Sequence, residues 1–593
     1  MIPAHGHPTN IRMNEKPTSA WTRRDFLKRG GSSLAAFGAI PLAARAGAES
    51  GADGNVGREE TARGTVFLDA DGSGVADGQR GIPGVLVSNG TDIVETDGDG
   101  RYELPVRGDA VLHVIKPRGH RTRLDSTNLP RFHYIHRPAG SPDGDFIYKG
   151  VPPTGPLPER IDFPLYPQDE PDSFDMILTA DPQCYDLRQL QWYAVETTHA
   201  FRRHGAKFGI ALGDIVGDHL DLYEPYNAIN ARCGFPWYNV IGNHDLNFKA
   251  TEDRYSGETF TRVFGPTTFA FQYARVHFII LNNVYWEGFD GLRGNGWPRN
   301  MQYHGKIRPD QLDYVRNYLR HVPADDRVVV CSHIPMVNPV DAGDKHRTPE
   351  FGELLRLLSG HRHTMSFAGH THINVCELLG ADAGYDPPGG ALHTHYHLTA
   401  TCGSWYRGPF DQYGVPFAPG RDGSPRGYAV VRFEGGESCR VSVKPLTGRP
   451  DGGTQMSVTL PPMVERAELA ATKVGVNVFT GSTRTRVSMR VDDEGDWTEL
   501  ERASGQDPAY VALRKHSEEH TGAGRGTLPP PVVTDHLWEA ALPVGIAPGW
   551  HTLTVRARGA SGERWQERRT FVVAESADDL ERYNQGVLRP RNV

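Results

Sequence analysis

The residues best equipped for chemistry sit in five short polar clusters, each directly after an apolar run. Trp237-Tyr-Asn-Val-Ile runs into Gly242-Asn243-His244-Asp245, and Met176-Ile-Leu-Thr-Ala into Asp181-Pro182-Gln183. Phe208-Gly-Ile-Ala-Leu leads to Gly213-Asp214 with Asp218 close behind. Val328-Val-Val-Cys leads to Ser332-His333, and Met365-Ser-Phe-Ala to Gly369-His370-Thr371-His372. A short apolar run that stops at Gly or Asp reads as a buried strand entering a turn. Each cluster is therefore a loop holding groups that coordinate metals or move protons. Asp181, Asp214, Asn243, His333, His370 and His372 mix hard oxygen with borderline imidazole donors, a set suited to divalent Mn, Fe or Zn. One chain thus offers enough ligands for two ions. A pair roughly 3.5 to 4 Å apart clamps a phosphoryl group and acidifies the water between them. Four positive charges against two carboxylates leave a positive well for an anionic substrate.

Such loops need a scaffold that brings them to one place. From residue 172 to about 445 the pattern alternates strands with amphipathic segments: strands at 174–180, 207–212, 236–241, two within 268–283, 327–331, 364–368, across 392–401 and across 427–444. Helices are expected near 187–204, 222–231, 309–320 and 349–359. This alternation predicts a layered α/β core, in which functional loops gather outside the strand ends.

Taken in order, Asp181-Pro-Gln183, Gly213-Asp214-x-x-x-Asp218, Gly242-Asn243-His244-Asp245, His333 and Gly369-His370-x-His372 resemble the calcineurin-like metallophosphoesterases. The resemblance covers about residues 172–445. It implies an α/β/α fold, with a ββ-sandwich core flanked by helices, set between two small all-β domains as in the exported three-part subgroup. Position by position, it implies that Asp181, Gln183, Asp214 and His372 hold one ion, and that Asp214, Asn243, His333 and His370 hold the second. His244 lies beside the phosphate in that pattern, stabilising charge or protonating the leaving oxygen, with Asp218 orienting its ring. The first motif departs from the family by ending in Gln183 where His is usual, which shifts that site toward harder ions such as Mn or Mg. The implied activity is hydrolysis of a phosphate ester by a metal-activated hydroxide. A phosphodiester of a sugar, nucleoside or lipid headgroup is preferred, and a phosphomonoester is the alternative. The other alternative is a non-catalytic surface protein whose metal centre has decayed at Gln183.

The rest of the chain sets the context. A net charge of −8 without a long basic run argues against a nucleic-acid-binding surface, since phosphate recognition needs clustered cations. Thr22-Arg23-Arg24-Asp25-Phe26-Leu27-Lys28, a mildly apolar run and Ala44-Arg45-Ala46 read as a twin-arginine export signal over 1–48. The expected partner is the export machinery for folded proteins, and the expected location periplasmic or secreted. No other segment reads as transmembrane. Residues 61–150 read as a prealbumin-like β-sandwich, 118–171 as an aperiodic wrap, and 446–593 as a second β-sandwich. Asp69-Ala-Asp71-Gly-Ser73-Gly74-Val-Ala-Asp77 has partial calcium-loop spacing, but Arg80 stands where a bidentate Glu is wanted, so calcium and a plain Asp/Gly turn both stay open. The six cysteines have no zinc spacing and read as core thiols. His393, His395 and His397 alternate on one strand face and read as packing groups. Trp405-Tyr406-Arg407 either packs a domain interface or lines the pocket as an aromatic and cationic substrate contact. The insertion 286–308 is too long for a simple connection and reads as a lid.

Overall fold

Central strands buried on both faces are what build the core. In the computed structural model, which describes residues 60–579 apart from 143–145, 342, 447–454, 494 and 521–525, eleven strands form two stacked sheets. They are β1 (Ser173–Thr179), β2 (Gly209–Ala211), β3 (Trp237–Asn239), β4 (Phe269–Tyr273), β5 (Val276–Ile280), β6 (Arg327–Cys331), β7 (Thr364–Ala368), β8 (Val375–Leu379), β9 (His393–His397), β10 (Gly427–Glu434) and β11 (Ser438–Pro445). One sheet runs β3-β2-β1-β10-β11 and the other β4-β5-β6-β7-β9-β8. Within them β1, β2 and β3 are mutually parallel, as are β5, β6, β7 and β9.

Met176, Leu178 and Ile210 of the first sheet meet Phe278, Val329 and Phe367 of the second in one buried cluster. Their neighbours in sequence point the other way, as the two-residue period of a strand requires. Ile177, Ala211 and Trp237 pack under helices α1 (Leu187–Arg202) and α2 (Tyr223–Ala231). Ile279, Val328 and Val330 pack under α4 (Pro309–Leu319) and α5 (Phe351–Leu358), with α3 (Glu258–Phe264) lying earlier in the chain. The outcome is helix, sheet, sheet, helix, and the runs are continuously apolar because both faces of each sheet are covered.

On the N-terminal side, the strand Glu60–Leu68 pairs antiparallel with Arg101–Val106 and parallel with Phe163–Pro167. The segment expected to be aperiodic thus supplies strands at His120–Leu124, His133–His136 and Phe163–Pro167. They are short, and their polar and Pro content masks the alternation. The loop at Asp69 folds as an Asp/Gly turn. Asp69 is buried and accepts from the Gly74 N–H and the Tyr166 hydroxyl, Asp71 accepts from Ser73 N–H, and Asp77 pairs with Arg160. Among the described residues this loop does not bring three ligand side chains together.

The C-terminal side has a four-stranded and a five-stranded sheet closed over one apolar core. A helix not expected from the sequence, α6 (Pro508–His520), starts where Asp507 accepts from the Tyr510 N–H and Pro508 opens the first turn. The insertion expected as a lid is a β-hairpin, Val284–Gly288 with Gln302–Gly305. All six cysteines are free, and five are buried. No helix among the described residues is long and apolar enough to cross a membrane. The twin-arginine segment lies outside the described residues.

Candidate metal centre

The five loops leave the carboxyl ends of β1, β2, β3, β6 and β7 and converge along one edge of the two sheets. Close approach is secured by glycines. A Cβ at Gly242 would sit 2.1 Å from the backbone nitrogen of Asp214, and one at Gly213, at φ +89°, would sit 2.5 Å from His333 Nδ1. Asp245 staples the β3 turn from beneath. Its buried carboxylate accepts from the N–H groups of Gly242 and Ile215 and from the Tyr223 hydroxyl, which leaves Asn243 and His244 turned toward the cleft.

Eight of the fourteen non-glycine residues described with left-handed backbone belong to this region: Asp181, Gln183, Asp214, Asp218, His370, His372, Trp405 and Tyr406. Each such residue costs of order 1 kcal/mol or more, so the fold concentrates backbone strain where side chains must be aimed.

The pattern of proton donors identifies what the site is built to hold. His333 Nδ1 lies 2.8 Å from the carbonyl of Leu212, His370 Nε2 2.9 Å from that of Lys345, and His372 Nδ1 2.6 Å from that of Gly403. A carbonyl only accepts, so each ring carries its proton there and turns the other nitrogen inward. The inward His333 Nε2 then meets His370 Nδ1 at 3.2 Å, Asn243 Oδ1 at 3.0 Å and Asp214 Oδ1 at 3.3 Å. Asp214, His333 and His370 are the one set of three ionisable ligand types brought together among the described residues. Neighbouring His372 Nε2 faces Asp181 Oδ1 at 3.5 Å, with Gln183 on the same side, its Oε1 3.8 Å from Cys402 Sγ and its amide nitrogen 3.3 Å from the Tyr185 hydroxyl. Convergent oxygen and imidazole nitrogen atoms around a buried carboxylate, each imidazole braced by a backbone carbonyl, fit divalent cations.

The electrostatics agree. Burial opposes ionisation of Asp214, yet His333 and His244 hold its carboxyl well below the usual range. Burial also opposes protonation of His333, but Asp214 pulls it up to about 9, while burial and that neighbouring charge push His370 far down. Only one positive charge fits between the two rings.

His244 stands apart from this cluster. Its Nδ1 lies 2.5 Å from Asp218 Oδ1, its Nε2 3.9 Å from Asp214 Oδ2, and a quarter of its side chain is exposed. Burial lowers its proton affinity, but Asp218 and Asp214 outweigh that and raise it to about 9.

Of the expected substrate contacts, Tyr406 is corrected. It is buried between Trp192 and Arg426, with its hydroxyl near Cys184, and has no surface for a ligand. Trp405 lies flat against His372, ring centroids 4.5 Å apart, and the Arg407 guanidinium is 5.6 Å from the Trp405 ring. His393, His395 and His397 are fully buried and bond to Thr364, Ser366, the Met336 N–H and the Val337 carbonyl, and His397 Nδ1 lies 3.4 Å from the Thr371 hydroxyl, between His370 and His372. Two aromatic neighbours were not foreseen. Tyr185 sets its ring edge-on to His244 at 6.0 Å, and Tyr303, on the hairpin, does the same to His370 at 6.1 Å. Tyr185 stands two residues after Gln183 in the same loop, and Tyr303 lies inside the flagged insertion.

Comparison with known proteins agrees with this geometry. Residues 177–374 match the model of the calcineurin-like phosphoesterase domain, residues 70–150 that of the N-terminal region of calcineurin-like phosphoesterases, and residues 395–565 that of their C-terminal region. No curated protein sequence matches the chain. Among solved structures, a dimetal phosphatase from Danio rerio is 16% identical, the alignment covering 45% of this chain and 98% of that one with a TM-score of 0.30. A purple acid phosphatase isolated from yellow lupin (Lupinus luteus) seeds is 11% identical over 66% of this chain and 70% of that one, with a TM-score of 0.33. Three family models in succession span most of the described chain, and the catalytic one covers all five loops: the protein belongs to the calcineurin-like phosphoesterases and is a metal-dependent phosphoester hydrolase.

Proposed function

We propose that the protein is an exported phosphodiesterase with two divalent ions, one held by Asp181, Gln183, Asp214 and His372 and the other by Asp214, Asn243, His333 and His370. The observation that carries the ligand assignment is the bracing of three histidines by three backbone carbonyls, which turns all three free nitrogens inward. When bound, the ions supply Lewis acidity and a water of lowered pKa. Gln183 offers a neutral oxygen, and that half of the centre favours harder ions such as Mn.

The chain's own residues do the rest. Asp218 fixes the His244 ring through Nδ1 and keeps it protonated, so that Nε2 delivers a proton to the departing alkoxide. Tyr185 and Tyr303 present ring surfaces on either side of the centre, and Arg407 adds a cation at the rim. An ester with a second, bulky substituent on phosphorus finds partners there that a small monoester does not reach. The preference for a diester of a sugar, nucleoside or lipid headgroup rests on that aromatic rim. A screen of mono- and diesters with the Mn-loaded protein tests it. Higher kcat/KM on diesters is expected, and a consistent preference for monoesters contradicts it.

A further inference from the structure

The C-terminal sandwich touches the metal-binding loop through one buried carboxylate. Asp422 is wholly buried on the turn 419–424, and its Oδ2 accepts from the backbone N–H of Asn374 at 2.8 Å, two residues beyond His372. The same oxygen lies 3.1 Å from Nε2 of His536, a residue of the C-terminal strand Thr534–Ala541. Ser424 closes round the carboxylate through its hydroxyl and its N–H.

The far side of His536 is held as closely. Its Nδ1 is 2.7 Å from Asn477 Oδ1. The Asn477 amide nitrogen donates to the carbonyl of Asp422 at 2.8 Å and to Asp507 Oδ2 at 2.9 Å, which fixes the oxygen as the atom facing His536. Both ring nitrogens therefore face acceptors, Asn477 Oδ1 on one side and Asp422 Oδ2 on the other. His536 and Asp422 meet closed off from water, with side chains 5% and 0% exposed. Burial opposes ionisation of Asp422, yet its hydrogen-bond partners, His536 first among them, hold its carboxyl below the usual range, so removing His536 would leave a buried carboxylate short of its partner.

The network closes on the metal loop from both ends. Asn374 Oδ1 accepts from the N–H of Thr399, at the start of the segment that carries Gly403. The Gly403 carbonyl is the one that orients His372. Glycines let the turn lie tight: a Cβ at Gly423 would meet Asp507 at 2.3 Å, and one at Gly420 would lie 3.2 Å from the His372 carbonyl oxygen.

We propose that His536 and Asp422 are positioning residues, and that the C-terminal domain locks the His372 half of the metal centre in register through them. The inference rests on the ligand assignment proposed above. Loss of an outer partner of a metal ligand typically lowers affinity roughly tenfold to a hundredfold.

The test combines Mn²⁺ titration with elemental analysis and hydrogen exchange of the chelated, metal-free protein. His536→Ala is expected to keep one tight equivalent, to bind the second roughly tenfold to a hundredfold more weakly, and to exchange the Asn374 amide faster before any metal is added. His536→Gln, whose amide reaches Asp422, should recover most of both effects. If His536→Ala does not fold, His536→Asn takes its place, since it retains the Asn477 contact without reaching Asp422, and the same single-site loss is expected. Two equivalents of unaltered affinity with unaltered exchange at Asn374, whatever the change in Tm, would overturn the proposal. His372→Ala, run in parallel, separates the two levels. One equivalent there with an unaffected His536 variant overturns the positioning role alone, whereas two equivalents there overturn the ligand assignment and the positioning role with it.

Discussion

His244 shows how neighbouring residues in one turn divide their labour. Asn243 points its oxygen at the His333 nitrogen inside the centre, while the next ring is held off by Asp218 and stays partly in solvent. His244→Ala should therefore retain two metal equivalents while kcat falls by roughly 10² or more, the scale of losing a positioned acid. Loss of metal in that variant would make His244 a ligand. Trp405 has one face committed to His372. Trp405→Ala should weaken metal binding and slow small aryl esters and large diesters alike; a loss confined to large esters would return Trp405 to the pocket. The residues of the five converging loops were legible because each stands in a short motif with a chemical signature. Tyr185 and Tyr303 were not, since an aromatic in a loop has no spacing rule and only the folded hairpin brings Tyr303 to His370.

The strands and helices of the central layers were readable because each is a continuous apolar run or a 3.6-residue pattern, and β6 and β7 fall where the runs place them. The pieces that escaped, such as α3 and the strand Phe163–Pro167, are short and draw their stability from partners far along the chain. The β9 histidines carry a consequence for stability. Burial holds His393 down to about 3 and His397 to about 4, whereas an unfolded histidine titrates near 6.5. Below pH 6.5 the unfolded chain binds protons that the folded one refuses, so stability is full above that pH and is lost as pH falls toward the folded values. Each of the two contributes a loss of about 1.5 kcal/mol between pH 6.5 and 5. Urea midpoints of the chelated protein should fall accordingly, and His393→Gln should shrink the drop. An unchanged drop in the variant would show that His393 is not neutral in the fold.

At the scale of the whole molecule, the two flanking β-modules are tied into the catalytic core by buried polar contacts as well as apolar packing. Lys116 reaches Glu170 and the Gln272 carbonyl, and Arg137 pairs with Glu258 across the N-terminal boundary. No sequence rule joins residues so far apart, which is why the modules were legible and their attachment was not. The proposed export makes its own prediction: Arg23→Lys with Arg24→Lys should leave unprocessed precursor in the cytoplasm, and normal processing of that double variant would contradict it. The centre itself is tested most directly through Asp214, the one carboxylate proposed to bridge both ions. Metal content by elemental analysis and hydrolysis of an aryl phosphodiester should be measured together on the wild-type protein and on Asp214→Ala, after chelation and Mn²⁺ reloading. The wild-type protein should carry two equivalents and regain turnover on reloading, while Asp214→Ala should fall below one equivalent and stay inactive. Two full equivalents in Asp214→Ala, or wild-type turnover that survives chelation, would contradict the account.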